Sequence, residues 1–223
     1  ESRLIYGSYP DIINHTDEAK ELLMNIANSY LYKDLLAMNE ISRPILLEKL
    51  LIALALQVGS EVSYNEVAQT IGTDNKTVEK YIDLLEKCYV IFRLNAFNRN
   101  LRTELKKSKK IYFYDNGIRN AVIQNFAPLS LRQDTGALWE NFFISERIKA
   151  NHYNGNYAKS FFWRTTQQQE IDYIEEADGN FTAFEMKWNP NKRPITFPSP
   201  FLNNYPVKET VVITPENYLE WVM

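Results

Sequence analysis

Residues 161–188 read FFWRTTQQQEIDYIEEADGNFTAFEMKW, and this stretch decides the fold. Aromatic and β-branched residues lie on both sides of Asp178-Gly179, a dipeptide suited to a two-residue type I′ turn. The stretch therefore reads as a β-hairpin. With Asp178 and Gly179 as the loop, Ala177 faces Asn180, Tyr173 faces Phe184, Asp172 faces Glu185, Ile171 faces Met186 and Glu170 faces Lys187. Strand side chains alternate between faces. Ile171, Tyr173, Phe184, Met186 and Trp188 then share an apolar face, and Glu170, Asp172, Glu185 and Lys187 share the other.

The second face carries a cost. Like charges directly opposite on neighbouring strands repel. Asp172 opposite Glu185 favours protonating one carboxylate or binding a cation between the two. Oxygen ligands of this kind suit Mg²⁺ or Mn²⁺. The Lys187 ammonium offsets part of the repulsion, and it is placed to stabilise an attacking hydroxide or charge developing on a phosphorane. The plainer alternative is a solvated sheet face with a Glu170–Lys187 cross-strand pair.

Asp172 followed by Glu185-Met186-Lys187 resembles the active-site hairpin of the PD-(D/E)XK nuclease superfamily. The resemblance implies that Asp172 and Glu185 bind the metal and that Lys187 assists the nucleophilic water. An upstream helix often adds a further acid in that superfamily. In GALWENF, residues 136–142, Glu140 is the matching position, so the implied metal set is Glu140, Asp172 and Glu185.

Composition sets the outer limits. The chain has 223 residues, 45% of them hydrophobic and 24% charged, with net charge −3 and a pI near 5.6. That is enough for one large domain or two small ones, and any basic surface must be local. One cysteine, Cys88, excludes disulfide frameworks and Cys-rich zinc sites. His15 and His152 stand in no metal-spacing motif. No apolar run approaches a membrane span, and ESRLIYGSYP lacks the basic start and apolar core of a signal peptide. A reduced, cytoplasmic setting with no membrane partner is the expectation.

Residues 1–43 read as a helical segment that trails an absent domain. The main helix is expected over Glu18–Met38, with Asp17 as N-cap. GSYPDII (7–13) and YLYKDLL (30–36), followed later by GALWENFF, FFWRTTQQQEIDYI and AFEMKW, are similar to the C-terminal region of a family of prokaryotic AAA-type ATPases. That resemblance implies an upstream ATPase core as partner. No G-x-x-x-x-G-K-[ST] occurs, and no Gly is followed by Lys, so ATP is a cofactor only of the missing core.

Residues 44–115 read as a winged helix. Pro44 fits a first helical turn. Ser63 and Glu66 form a capping box for a short helix to Thr70. Asp74 caps a third helix that turns Val78, Ile82 and Leu85 inward. Strands follow at 89–94 and 110–114, and helix–turn–helix plus hairpin is the winged-helix pattern. The hairpin carries Arg99, Arg102, Lys106, Lys107, Lys109 and Lys110, the best nucleic-acid candidates in the chain. The third helix mixes Lys76, Lys80 and Lys87 with Asp74, Glu79, Asp83 and Glu86, so a winged helix used for protein contact is the competing reading.

Residues 116–223 complete an α/β (α+β) arrangement with a restriction-endonuclease-like sandwich. Its elements are a helix over Gly136–Ala150, the hairpin, a Pro- and Asn-rich loop with little regular structure, a strand over Thr210–Thr214 beside the Glu185 strand, and a short terminal helix. Glu146–Arg147 reads as a solvated charge pair. The expected function is a nucleic-acid-binding winged helix joined to a divalent-metal-dependent nuclease-like domain, with DNA favoured as partner. The alternative is a non-catalytic regulatory or protein-interaction module of the ATPase. A scaffold without any nucleic-acid role would leave both the wing lysines and the acidic hairpin incidental.

Overall fold

In a computed structural model, residues 1–31, 43–98, 108–189 and 195–223 are described. The fold is mixed α/β, with a six-stranded mixed sheet in the order β2-β1-β3-β4-β5-β6. Contacts divide the chain into two units, 1–93 with 110–134, and 94–109 with 135–223.

The first unit begins with α1 (Ser2–Tyr6), α2 (Pro10–Asn14) and α3 (Ala19–Asn25), the last continued by a π-helical turn, Ile26–Leu31. The helix expected from Glu18 therefore starts there, but Asp17 belongs to a 3₁₀ turn, Thr16–Glu18, and Glu18 is the N-cap residue. Residues 32–38 of that expected helix lie outside the described residues. α4 (Pro44–Leu56), α5 (Tyr64–Ile71) and α6 (Asn75–Lys87) follow. Pro44 opens α4 as expected, because the first helical N–H has no intrahelical partner to lose. Ser63 Oγ accepts from Glu66 N–H at 3.4 Å. Asp74 accepts from the Thr77 N–H at 3.0 Å and from its hydroxyl at 2.7 Å. Val78, Ile82 and Leu85 are fully buried with Leu47, Leu50, Leu51 and Leu54. Each such side chain contributes about 1.5–3 kcal/mol by leaving water.

Strands β1 (Ile91–Ala96) and β2 (Lys109–Phe113) come next, and then α7 (Asn116–Val122). The sequence reading placed a break near residue 115, whereas α7 groups with the first unit. The reason is a dense polar contact with α1. Asn120 Nδ2 donates to the Leu4 and Ile5 carbonyls at 3.1 and 2.8 Å, and Asn116 Nδ2 donates to Leu4 O at 3.3 Å. Asp115 caps α7 through Ile118 N–H at 3.1 Å and accepts from Ser8 N–H at 2.7 Å. The approach needs glycine: a Cβ at Gly117 would lie 2.3 Å from Tyr6 O, and one at Gly7, whose φ is 76°, 2.0 Å from Asp115 Oδ1. Arg119 of α7 and Arg132, both buried, share one carboxylate, Asp134, at 2.6 and 2.8 Å.

The second unit is built on α8 (Thr135–Tyr153), β3 (Lys159–Arg164), β4 (Glu170–Ala177), β5 (Asn180–Met186), α9 (Ser199–Asn204), β6 (Val207–Ile213) and α10 (Leu219–Val222). β4 and β5 pair antiparallel with Ala177 opposite Asn180 and Tyr173 opposite Phe184, the register counted from the turn. Asp178 and Gly179 have φ of 50° and 79°, both positive as a type I′ turn requires. β6 lies parallel to β5, with Val212 opposite Glu185. The 161–188 stretch contains a third strand, however. β3 pairs antiparallel with β4 across a second turn at Thr165–Gln169, and β1 adds to it in parallel at Asn95 and Ala96.

Three further expectations are corrected. α9 lies inside the segment read as irregular: its prolines stand at the helix start, where they are tolerated, and Phe201 is fully buried against Trp163 and Phe181. The face expected to be charged is polar at one end only, because Ile174, Phe181 and Ala183 pack there with Phe201. Arg147 is not a solvated partner of Glu146. It forms a bidentate pair with buried Glu175, at 2.9 and 2.8 Å, while Glu146 pairs with Lys149.

Candidate functional site

Three charged side chains converge at the N-terminal end of β4 and the C-terminal end of β5. The tight Asp178-Gly179 turn fixes a register that is paired from Ala177–Asn180 to Tyr173–Phe184, and Asp172 and Glu185 follow directly beyond its last pair. Asp172 Oδ2 accepts from the Met186 N–H at 3.1 Å, which locks its carboxylate across the strand pair. Lys187 lies one residue past β5 and is anchored by its N–H to Ile213 O at 2.8 Å. Its Nζ donates to Glu185 Oε2 at 2.8 Å and stands 3.9 Å from Asp172 Oδ2. Of the alternative Glu170–Lys187 pairing, Glu170 faces Arg164 at 3.6 Å, and Lys187 reaches back along its own strand.

The Asp172 and Glu185 side chains are 18% and 12% exposed, against 36% for Lys187, so the carboxylates are sheltered and the ammonium forms the outer edge. Burial, and then the neighbouring Asp172 charge, push the Glu185 carboxyl up to about 7. Burial alone would lower Lys187, but the hydrogen bond to Glu185 and the charges of Asp172, Glu185 and Glu140 hold it above the usual lysine range. Glu140, in the first turns of α8, is half-buried, and its charge is the weakest of those that raise Lys187. Its neighbour Trp139 donates Nε1–H to Ile213 O at 3.3 Å and packs edge-on against Trp188 at 5.6 Å. Helix, β6 and the Lys187 backbone are thus tied at one point.

Two oxygen-rich carboxylates carrying an under-compensated charge suit a hard divalent cation. Among the described residues no group of three or more His, Cys, Asp or Glu side chains is arranged to hold a metal ion. A cation here would therefore take Asp172 and Glu185 as protein ligands and fill its remaining positions with water.

Of the basic residues expected at a wing, Arg99, Arg102, Lys106 and Lys107 lie outside the described residues. Lys109 is half-buried, and Lys110 is 3% exposed inside β2, where its backbone bridges Glu61. A residue held in that way is not displayed for phosphate contact. Sequence reasoning missed Gln169. Its Oε1 is the buried side-chain atom that has no hydrogen-bond partner among the described residues. A run of three glutamines between two strands was the available signal, but it does not say which of them turns inward.

Comparison with known proteins bears on the chain in two parts. The profile of a family described as "Domain of unknown function (DUF8612)" matches residues 1–129, and that of "Domain of unknown function (DUF4143)" matches residues 135–221. An uncharacterized protein of Mycobacterium tuberculosis is 28% identical over 58% of this chain and 29% of its own length. One of Haemophilus influenzae is 27% identical over 53% of this chain and 31% of its own. One of Methanocaldococcus jannaschii is 26% identical over 63% of this chain and 32% of its own. The chain spans about a third of the length of these curated relatives. No solved structure matches.

Proposed function

The chain belongs to the family described as a domain of unknown function (DUF8612), matched over residues 1–129, and we propose that it joins a nucleic-acid-binding winged helix to a nuclease-like α/β unit that uses a divalent cation on phosphodiesters. In this reading it is part of a longer AAA-ATPase-associated protein. The observation that carries it is the placement of Asp172, Glu185 and Lys187 at one strand end, with Glu185 raised to about 7. The PD-(D/E)XK resemblance assigns this position to metal and general-base chemistry. The winged-helix part is supported by α4, α5 and α6 followed by β1 and β2, with the Glu61–Lys110 bridge between them.

Bound between the two carboxylates, Mg²⁺ or Mn²⁺ would supply Lewis-acid stabilisation of charge on the phosphate. Asp172 is oriented for this by the Met186 N–H. A cation held there would displace the proton from Glu185 to solvent, because the ionised carboxylate is the form that ligates and the one the site leaves under-compensated. Lys187 holds a proton and a positive charge at the solvent edge, where an incoming anion would meet it. Glu140 adds negative charge behind it.

A second reading keeps the fold and removes the chemistry: a regulatory module of the ATPase in which Lys187 serves as the permanent counter-charge. The 2.8 Å Lys187–Glu185 contact favours it, as does the lack, among the described residues, of three such side chains arranged to hold a metal ion. Mn²⁺ titration separates the two. By mass action a ligand bound only by the folded state stabilises it by about 2.7 kcal/mol at a hundred times its Kd. Millimolar Mn²⁺ is expected to raise the melting temperature of the wild type and to leave Asp172→Ala and Glu185→Ala unmoved. A wild type indifferent to Mn²⁺ leaves the regulatory reading.

A further inference from the structure

Resting on that reading for what Lys187 does, we propose that Trp139 is the positioning residue of the acidic site: it tethers the Lys187 backbone so that the ammonium stays against Glu185 and Asp172. Lys187 directly follows Met186, the last residue of β5. The contacts that hold residues 187 and 188 past that end meet at Trp139. Lys187 N–H donates to Ile213 O at 2.8 Å, and the same carbonyl accepts the Trp139 Nε1–H at 3.3 Å. The ring of Trp188 packs edge-on against the Trp139 ring, with centroids 5.6 Å apart. One side chain thus holds both the acceptor of the Lys187 N–H and the residue that follows it.

Trp139 is itself held. It is 2% exposed, stacks on Phe142 of its own helix at 5.9 Å and is met edge-on by Tyr218 at 5.4 Å. A phenylalanine would fill such a place with no polar atom to satisfy, whereas a buried indole N–H needs an acceptor. The acceptor here is the carbonyl that also anchors Lys187. Its oxygen has two lone pairs and takes both donors. The indole bond fixes the direction of Ile213 O, and through it the Lys187 N–H.

The tether matters because the lysine stem is flexible. With its backbone fixed, Nζ is kept at 2.8 Å from Glu185 and 3.9 Å from Asp172. With the backbone loosened, the same four-carbon stem lets Nζ swing into solvent.

A limiting pulse of acetic anhydride on the whole chain, read by peptide mass spectrometry, tests the tether without metal or substrate. Lys187 is 36% exposed, so the reagent reaches it, but its amine is engaged by Glu185. Lys159, 72% exposed, is the internal reference. Trp139→Phe keeps a ring against Trp188 and Tyr218 and removes the N–H. Lys187 labelling relative to Lys159 is expected to rise about fivefold, the equivalent of one ordinary hydrogen bond. Lys149, held by Glu146 on the same helix, is expected not to change. A packing role alone would lower the melting temperature without this selective rise. Trp188→Ala removes the ring contact, is expected to raise Lys187 labelling as well, and carries the readout should Trp139→Phe fold poorly. In Mn²⁺, Trp139→Phe is expected to keep the metal-dependent rise in melting temperature, because Asp172 is set by the Met186 N–H. Its cleavage of DNA is expected to fall by up to about a hundredfold, the cost of a misplacement near 1 Å. Unchanged Lys187 labelling in the well-folded variants overturns the role of Trp139 and leaves the nuclease-like reading standing. Faster labelling supports the tether even where the wild type shows neither Mn²⁺ stabilisation nor cleavage, a result that overturns the nuclease-like reading alone.

Discussion

Replacing Glu185 by glutamine should make the second unit more stable at pH 8 and leave it nearly unchanged near pH 4.5. The wild-type carboxyl moves from 4.5 to about 7 because burial and Asp172 disfavour its ionised form. The folded state therefore holds this proton more tightly than the unfolded chain does. Wild-type stability is full below pH 4.5, declines as pH rises, and reaches its lower level above about 7. A shift of this size corresponds to roughly 3 kcal/mol at about 1.4 kcal/mol per pH unit. That shift already includes the Lys187 hydrogen bond and charge, which oppose it, so the loss of this partner in glutamine is not subtracted again. Discounted for the partial exposure of the site, the gain at pH 8 is about 2–3 kcal/mol, fading to near zero at pH 4.5. Urea unfolding followed by tryptophan fluorescence measures it directly. The four tryptophans, Trp139, Trp163, Trp188 and Trp221, all belong to the second unit. A Glu185→Gln protein that is less stable than wild type at pH 8, or a difference that does not change with pH, refutes the reasoning.

Asp134→Asn should destabilise the first unit by about 1–2 kcal/mol at pH 7 in chemical denaturation followed by circular dichroism, because Arg119 and Arg132 lose the carboxylate charge they share. Burial opposes ionisation of Asp134, but the two arginines hold its carboxyl at about 2. Its contribution, about 1–2 kcal/mol after allowing for partial exposure, is present above pH 4 and lost as pH falls towards 2. Gly117→Ala should lower stability by about 1–3 kcal/mol in the same assay, since the added Cβ meets Tyr6 O at 2.3 Å. Lys187→Ala should bind Mn²⁺ at least as tightly as wild type by calorimetry, because it removes the cation already standing between Asp172 and Glu185.

The local devices of this chain were legible without coordinates because each depends on residues adjacent in sequence. Pro44 opening a helix, Ser63 and Asp74 as caps, and the Asp178-Gly179 turn are short-range effects of backbone geometry. The hairpin register followed from the turn, and it sets Asp172 and Glu185 next to each other just beyond the Tyr173–Phe184 pair. What the sequence left open depends on contacts distant along the chain. Arg147 has an acidic neighbour at position 146, yet it pairs with Glu175, 28 residues away, because the helix packs over β4. Lys110 stands among the charged residues of an expected wing, yet it is buried in β2. Asn116-Gly117 carries a turn signal, yet it is spent on close approach to α1. Helix and turn signals state what the backbone prefers locally; only packing decides which charge leaves water and which partner meets it there. Sequence alone thus determined which residues form the acidic strand end. Tertiary structure decided that Lys187 closes it, that Glu185 holds its proton to about pH 7, and that Gln169 keeps a buried oxygen without a partner among the described residues.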